Sequence, residues 1–237
     1  MLVPIDPRPI PGVMPLGRPI EWLDPQVTEI DTRSLPFGGP SLKSVLHSRR
    51  SNRAFSEAST EEVASVVREA LRTEFVGVDT KFGRKLKGVV SAGALHPVKG
   101  VLLDRDGNPI FYDDVDDRFL SVGIRDVRQL EGFLNDCREV LPEAQGRWIA
   151  LIADCRDLSR LYTNHQSLLW RDAGAAIQVM AMVAEALELA FCPIGILGHG
   201  LIDALLPGGG GFAAVGVVAI GRLGSIRNPT EAGRRDY

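Results

Sequence analysis

The sequence predicts an α+β fold, and three observations carry that expectation. Strand-like and helix-like runs mix without the regular alternation of a doubly wound sheet. A hairpin pattern sits near the middle of the chain. A long, nearly all-apolar helix follows it and leads into two further strands.

Residues 1–40 carry nine of the fifteen prolines, which remove donors and block helices, so an extended, irregular arm is expected. Val13, Met14, Ile20, Trp22 and Leu23 either seat this arm on the body or on a partner subunit, or leave it a tail. A body is expected from Ser41, with a helix-like run over 42–46. Ser59 and Glu62 have capping-box spacing, and Val63, Val66, Val67, Ala70 and Leu71 then share one helical face. Residues 99–103 and 109–113 predict a hairpin around the turn sequence 104–108. An amphipathic helix is expected over 126–140 through Val127, Leu130, Phe133 and Leu134, then a doubly apolar strand over 148–153. The long helix is expected over 164–189, apolar enough from 173 to 184 to lie in the core or at a subunit interface. Strands over 191–197 and 213–222 flank a glycine-rich loop at 207–211.

Composition narrows the function. A net charge of −3 argues against a nucleic-acid-binding domain, which shows a basic excess. The three cysteines have neither CxxC spacing nor a disulfide pattern, so a reducing compartment and no cysteine metal site are expected. With no signal-like N-terminus and no apolar run long enough to span a bilayer, the expectation is a cytoplasmic protein without membrane or nucleic-acid partners. The glycine run lacks the Lys-Ser or Lys-Thr of a P-loop. No GxGxxG, GxSxG, HExxH or EF-hand element is present.

Four segments bear chemistry. Arg49-Arg50-Ser51-Asn52-Arg53 puts three guanidinium groups and a hydroxyl within five residues, either a solvated basic turn or a grip for phosphate and a hydrogen-bonding ring. Ser91-Ala92-Gly93-Ala94-Leu95-His96-Pro97 is a small-residue loop against which a planar ligand can lie, with Gly93 free to adopt positive φ. His96 is either a proton donor near neutral pH or a histidine packed at the loop edge. Gly174, Ala175 and Ala176 in the long helix permit close helix approach, and Gly195 leaves room beside the strand over 191–197.

Taken together, these segments resemble the nitroreductase-like flavoprotein superfamily, and within it the SagB-type (thiazole/oxazole-forming) dehydrogenases. Arg49 to Phe55 is similar to the family's RxSxR/K-x-F motif, and Ser91 to Pro97 to its SAGALYP loop, with His96 in the tyrosine's place. Asp172-Ala173-Gly174 through Gln178, Ala184 to Leu187, Cys192 to Gly195 and Val218 to Arg222 continue the resemblance. It implies a nitroreductase-like fold for 41–225: a mixed, mainly antiparallel sheet flanked by helices, with a long central dimer-interface helix. Residues 1–40 stand outside it as an arm and 226–237 as a tail.

The resemblance also implies a homodimer with FMN in interface clefts. Arg49 binds the phosphate in this carry-over, and Arg50 counts among the cofactor-binding residues. Ser51 bonds the ring and Arg53 lies near its N1–O2 edge. Ser91, Ala92, Gly93 and Pro97 come from the other subunit, Gly195 backs the ring, and Arg222 or Arg227 supplies a second cation to the phosphate. The implied activity is hydride transfer between a peptide or small natural-product substrate and flavin N5. The alternatives are an NAD(P)H-dependent nitro- or quinone-type reductase, or a non-catalytic partner in a biosynthetic complex. Relatives place a Lys-Tyr pair before the long helix; here Leu161-Tyr162 stands there, which leaves Tyr162, with His96 or His165, as the proton-handling candidates.

Overall fold

The computed structural model describes residues 5–36, 38–76, 85–206, 208 and 210–223; the expected tail at 226–237, Arg227 with it, lies outside them. In chain order the elements are β1 (Arg8–Pro9), β2 (Gln26–Thr28), α1 (Leu42–Ser48), α2 (Thr60–Leu71), β3 (Phe75–Val76) and β4 (Lys85–Leu86). A 3-10 turn at Ala92–Ala94 precedes β5 (Val98–Leu103), β6 (Pro109–Asp113), β7 (Arg118–Ser121) and α3 (Val127–Val140). Then come β8 (Arg147–Asp154), α4 (Cys155–Leu161), β9 (Tyr162–Thr163), α5 (Gln166–Ala186), β10 (Leu189–Ile194), α6 (His199–Leu205) and β11 (Phe212–Arg222).

Seven strands form one sheet in the order β10-β11-β8-β5-β6-β7-β2, and every neighbouring pair in it is antiparallel. Among the described residues, parallel pairing is confined to the isolated bridges Ser51–Phe191 and Phe55–Ala144. The sheet is buried on both faces, so its central strands read as continuous apolar runs, while the period-2 rule still sorts their side chains. On β8, Ile149, Leu151 and Ala153 join the core under α2 and α5, whereas Trp148, Ala150 and Ile152 join the core under α3 and α6. The result is a three-layer α/β/α sandwich.

Local chemistry explains the elements that position the site. Ser59 and Glu62 make the expected capping box, each side chain bonding the other's backbone amide. The helix then buries Val63, Val66, Val67, Ala70 and Leu71, each of which contributes about 1.5–3 kcal/mol for the larger side chains. Gly100 on β5 admits this helix at close range, since a Cβ there would meet Val67 at 3.0 Å. In the β5–β6 turn, Asp104 accepts from the Asp106 and Asn108 amides and Gly107 adopts φ +86°.

The proline-rich arm is extended and lies along the body. Its β1 pairs with β9, and β2 adds the outer strand beside β7. Between them the Leu16 and Gly17 amides donate to the Asp157 carboxylate at 2.7 and 2.8 Å. Arg156 reaches the carbonyls of Arg18 and Pro19. Proline supplies no amide donors of its own, so the arm is held by the remaining amides and by its carbonyls.

Candidate functional site

The arginine run begins where α1 ends. Ser41 caps that helix by accepting from the Ser44 amide, and Arg49 leaves it at φ −53°, ψ 124°. The chain then runs extended beside β10, where Ser51 bridges Phe191 and the Asn52 amide donates to the Phe191 carbonyl at 3.3 Å. Phe55 anchors the strip. It is 5% exposed, and a Cβ at Gly146 or Gly221 would come within 2.3 Å of its ring. Those two glycines are therefore the notch that accepts Phe55.

This anchoring leaves Arg49 half-buried and Arg50, Ser51 and Arg53 exposed along one strip. Among the described residues, neither Arg49 nor Arg53 forms an ion pair. Arg50 instead turns back on its own helix end, donating to the His47 and Arg49 carbonyls at 2.7 and 2.8 Å. Burial pushes the Cys192 thiol up, and the positive charge of Arg53 opposes that rise, so the two side chains are electrostatic neighbours. Beyond Cys192 the strand opens at Gly195, where an added Cβ would meet no atom within 4 Å. Arg222 is committed elsewhere: its guanidinium pairs with Glu62 at 2.9–3.0 Å.

A second group of contacts shapes residues 91–97. Asp172, on α5 and only 6% exposed, accepts from Ser91 Oγ at 2.5 Å and from the Ala92 amide at 3.3 Å. Ser91 Oγ in turn accepts from the His96 amide at 2.9 Å. Gly93, Ala94 and His96 all adopt positive φ, a crowded left-handed backbone that these bonds hold in place. A Cβ on Gly93 would come within 2.7 Å of the Tyr162 hydroxyl, so Tyr162 lies directly against the loop. Burial raises the Asp172 carboxyl above its ordinary value, with Ser91 and Ala92 opposing.

His96 is 7% exposed, and its Nε2–H donates to the Lys85 carbonyl at 2.8 Å. Burial, with the charge of Lys87 adding to it, lowers its pKa to about 4. The imidazole is therefore neutral near pH 7 and ties the loop to β4. Pro97 is buried at the loop's exit.

The structure thus brings Ser51 against Phe191 and Arg53 near Cys192, and brings Ser91 to Pro97 together with Asp172 and Tyr162. It does not bring Arg222 onto the arginine strip. Asp172 is the residue that sequence reasoning passed over; the available signal was a single carboxylate at the head of an apolar helix. Among the described residues no cluster of metal-ligating side chains occurs, and no helix is long and apolar enough to cross a membrane.

Comparison of the whole chain with solved structures decides the architecture. A protein from Ralstonia eutropha JMP134 assigned as a nitroreductase superposes with a TM-score of 0.62 over 94% of this chain and 100% of its own, at 14% identity. This is the nitroreductase fold. A second protein so assigned, from Anabaena variabilis ATCC 29413, gives a TM-score of 0.60 at 18% identity. There the match covers 84% of this chain but 42% of the longer neighbour. A chain of the E. coli microcin synthetase McbBCD complex, described with truncated pro-MccB17 bound, shares the nitroreductase fold with this protein at a TM-score of 0.55 and 13% identity. The match covers 76% of this chain and 73% of that one. No protein-family model matches the sequence, and no curated protein does.

Proposed function

We propose that the protein is an FMN-dependent oxidoreductase acting as a homodimer, a SagB-type dehydrogenase in its finer class, on a peptide or small natural product. The observation that carries the reading is the strip Arg49–Ser51–Arg53. Two guanidinium groups without ion-pair partners among the described residues flank a hydroxyl whose residue pairs with Phe191 on β10, the strand that runs on to Gly195, where an added Cβ would meet nothing within 4 Å. That donor set fits a phosphorylated, planar, hydrogen-bonding ring. Shared fold with the microcin synthetase chain supports the same reading.

When bound, FMN supplies a two-electron hydride donor and acceptor. The chain's residues do the rest in this proposal. Arg49 takes the phosphate, with Arg50 beside it; Ser51 and Arg53 take the ring edge, where a fixed cation favours negative charge. The Ser91–Pro97 loop, held by Asp172, lies against the ring from the other subunit, and Tyr162 beside it moves the proton. His96, neutral and bonded to Lys85, positions that loop. A second copy has a surface to cover: Trp170 on α5 is 47% exposed, and Leu42 and Leu46 on the adjoining α1 are 62% and 55% exposed. Three buried free cysteines suit a cytoplasmic setting.

Leu161 favours a second reading. Without a lysine beside Tyr162, an NAD(P)H-driven nitro- or quinone-type reductase needs less of the site than azoline oxidation does. A yellow preparation with flavin absorbance bands supports the proposal, and a colourless protein that takes up no FMN ends it. Rapid NADPH-dependent turnover of a nitroaromatic then selects the reductase reading, and its absence the dehydrogenase.

A further inference from the structure

A second charged constellation lies outside the flavin reading. Asp114, just past β6, is 3% exposed and accepts from Lys87 Nζ at 2.5 Å, from Lys85 Nζ at 3.4 Å and from Lys99 Nζ. The three lysine side chains are themselves only 19%, 2% and 11% exposed for Lys85, Lys87 and Lys99. Three ammonium groups therefore share one carboxylate away from bulk water, a local surplus of positive charge that is costly unless matched. Burial opposes ionisation of Asp114, but the charges of Lys99, Lys87 and Lys85 outweigh it and hold the carboxyl well below its usual range. Burial lowers the Lys87 ammonium to about 7, against the pull of Asp114 and with Lys99 and Lys85 adding to the drop. Lys85 is lowered by the same burial and by Lys99. Among the described residues, the remaining titratable neighbours do not supply the missing negative charge: His96 is neutral, and the Tyr112 hydroxyl donates to Asp117.

Beside this cluster opens a cavity of about 650 Å³, within the range of small-molecule sites. Lys85, Lys99 and Asp114 stand on its wall, Trp22, Phe111 and Leu120 give it apolar surface, and arm residues 15–20 run along it. The other acids around it have partners of their own. Asp113 and Asp116 pair with Arg118, Asp154 pairs with Arg156, and Asp157 accepts the Leu16 and Gly17 amides. Among the described residues, Lys85 and Lys99 each spend one hydrogen bond, on Asp114, out of three available donors.

We propose that this cavity binds a small organic anion, a carboxylate or phosphate on an apolar body, with its charged end on Lys85 and Lys99 and its body against Trp22, Phe111 and Leu120. The proposal does not depend on flavin binding. An anion there matches the surplus charge and raises the lysine pKa values, so binding takes up protons above neutral pH.

Calorimetric titration of the full chain with benzoate, phenyl phosphate and uncharged benzamide tests this. One or both anions should bind with a Kd below about 1 mM, with proton uptake at about pH 8 seen as a buffer-dependent heat. The tighter of the two names the headgroup. Lys85→Met and Lys99→Met should each weaken binding about tenfold or more, whereas Arg49→Glu should leave it intact. The proposal is overturned if benzamide binds as well as the anions, if no anion binds, or if the lysine variants bind like the parent. Loss of binding in Arg49→Glu alone would assign the anion to the arginine strip and overturn it too. Should either lysine variant fail to fold, an anion titration of the parent without proton uptake contradicts the proposal by itself.

Discussion

Asp172→Ala removes the acceptor that holds the 91–97 loop. The parent carboxylate takes Ser91 Oγ at 2.5 Å and shares the Ala92 amide between its two oxygens at 3.3 Å. Hydrogen bonds to a charged acceptor contribute about 1.5–3 kcal/mol, and a buried donor left without one costs about 1–3 kcal/mol. The carboxylate's own burial, visible in its raised pKa, offsets part of this. A net loss of about 3 kcal/mol follows, which for a chain of this size lowers Tm by about 6–12 °C. Asp172→Asn keeps one acceptor oxygen and should lose only about a third as much.

The pH dependence has a definite sign. A carboxyl whose folded pKa is raised contributes stability that is fully present below its unfolded pKa and is lost as pH rises through the folded one. The parent's advantage over Asp172→Asn should therefore be larger near pH ~4 than near pH ~7. Differential scanning calorimetry of all three proteins at both pH values reads this directly. A Tm loss below about 2 °C in Asp172→Ala, or an advantage that grows with pH, would refute the reasoning.

Three further outcomes are expected. Gly93→Ala forces a Cβ toward the Tyr162 hydroxyl at 2.7 Å on a φ +61° backbone, so it should cost about 1–3 kcal/mol in thermal denaturation. Lys87 has its folded pKa lowered from 10.5 to about 7. Its contribution is present above the unfolded pKa and lost as pH falls through the folded one, so the parent should gain about 2 kcal/mol on Lys87→Met from about pH 7 to about pH 9 in urea melts. Tyr162→Phe should leave flavin bound and slow turnover about tenfold or more, with unchanged rates removing Tyr162 from proton transfer.

The sequence revealed the elements whose signals are local. Ser59 and Glu62 mark the start of α2 by themselves, the alternating and continuous apolar runs mark β5, β6 and β8, and the apolar stretch marks α5. Helices α4 and α6 escaped: at seven residues each, the length of α1 as well, a helical period is at the edge of legibility. Strand β2 is three residues long and becomes a strand only by pairing with β7. The long-range groupings escaped for the same reason. Ser91 and Asp172 lie 81 positions apart, and Lys85, Lys87, Lys99 and Asp114 look like ordinary surface residues until β4, β5 and β6 draw them inside. The grouping of Arg49, Ser51 and Arg53 needs no long-range pairing because they sit within five consecutive residues, whereas the Arg222–Glu62 pair spans 160 positions and has no local signal.

The central claim is that Arg49 grips the phosphate of a bound flavin. Its most direct measurement is the flavin absorbance retained after purification by the parent and by Arg49→Glu, read beside circular dichroism to establish that both are folded. The account predicts stoichiometric FMN in the parent and none in the folded charge-reversal variant. A folded Arg49→Glu protein that still carries stoichiometric FMN would contradict it.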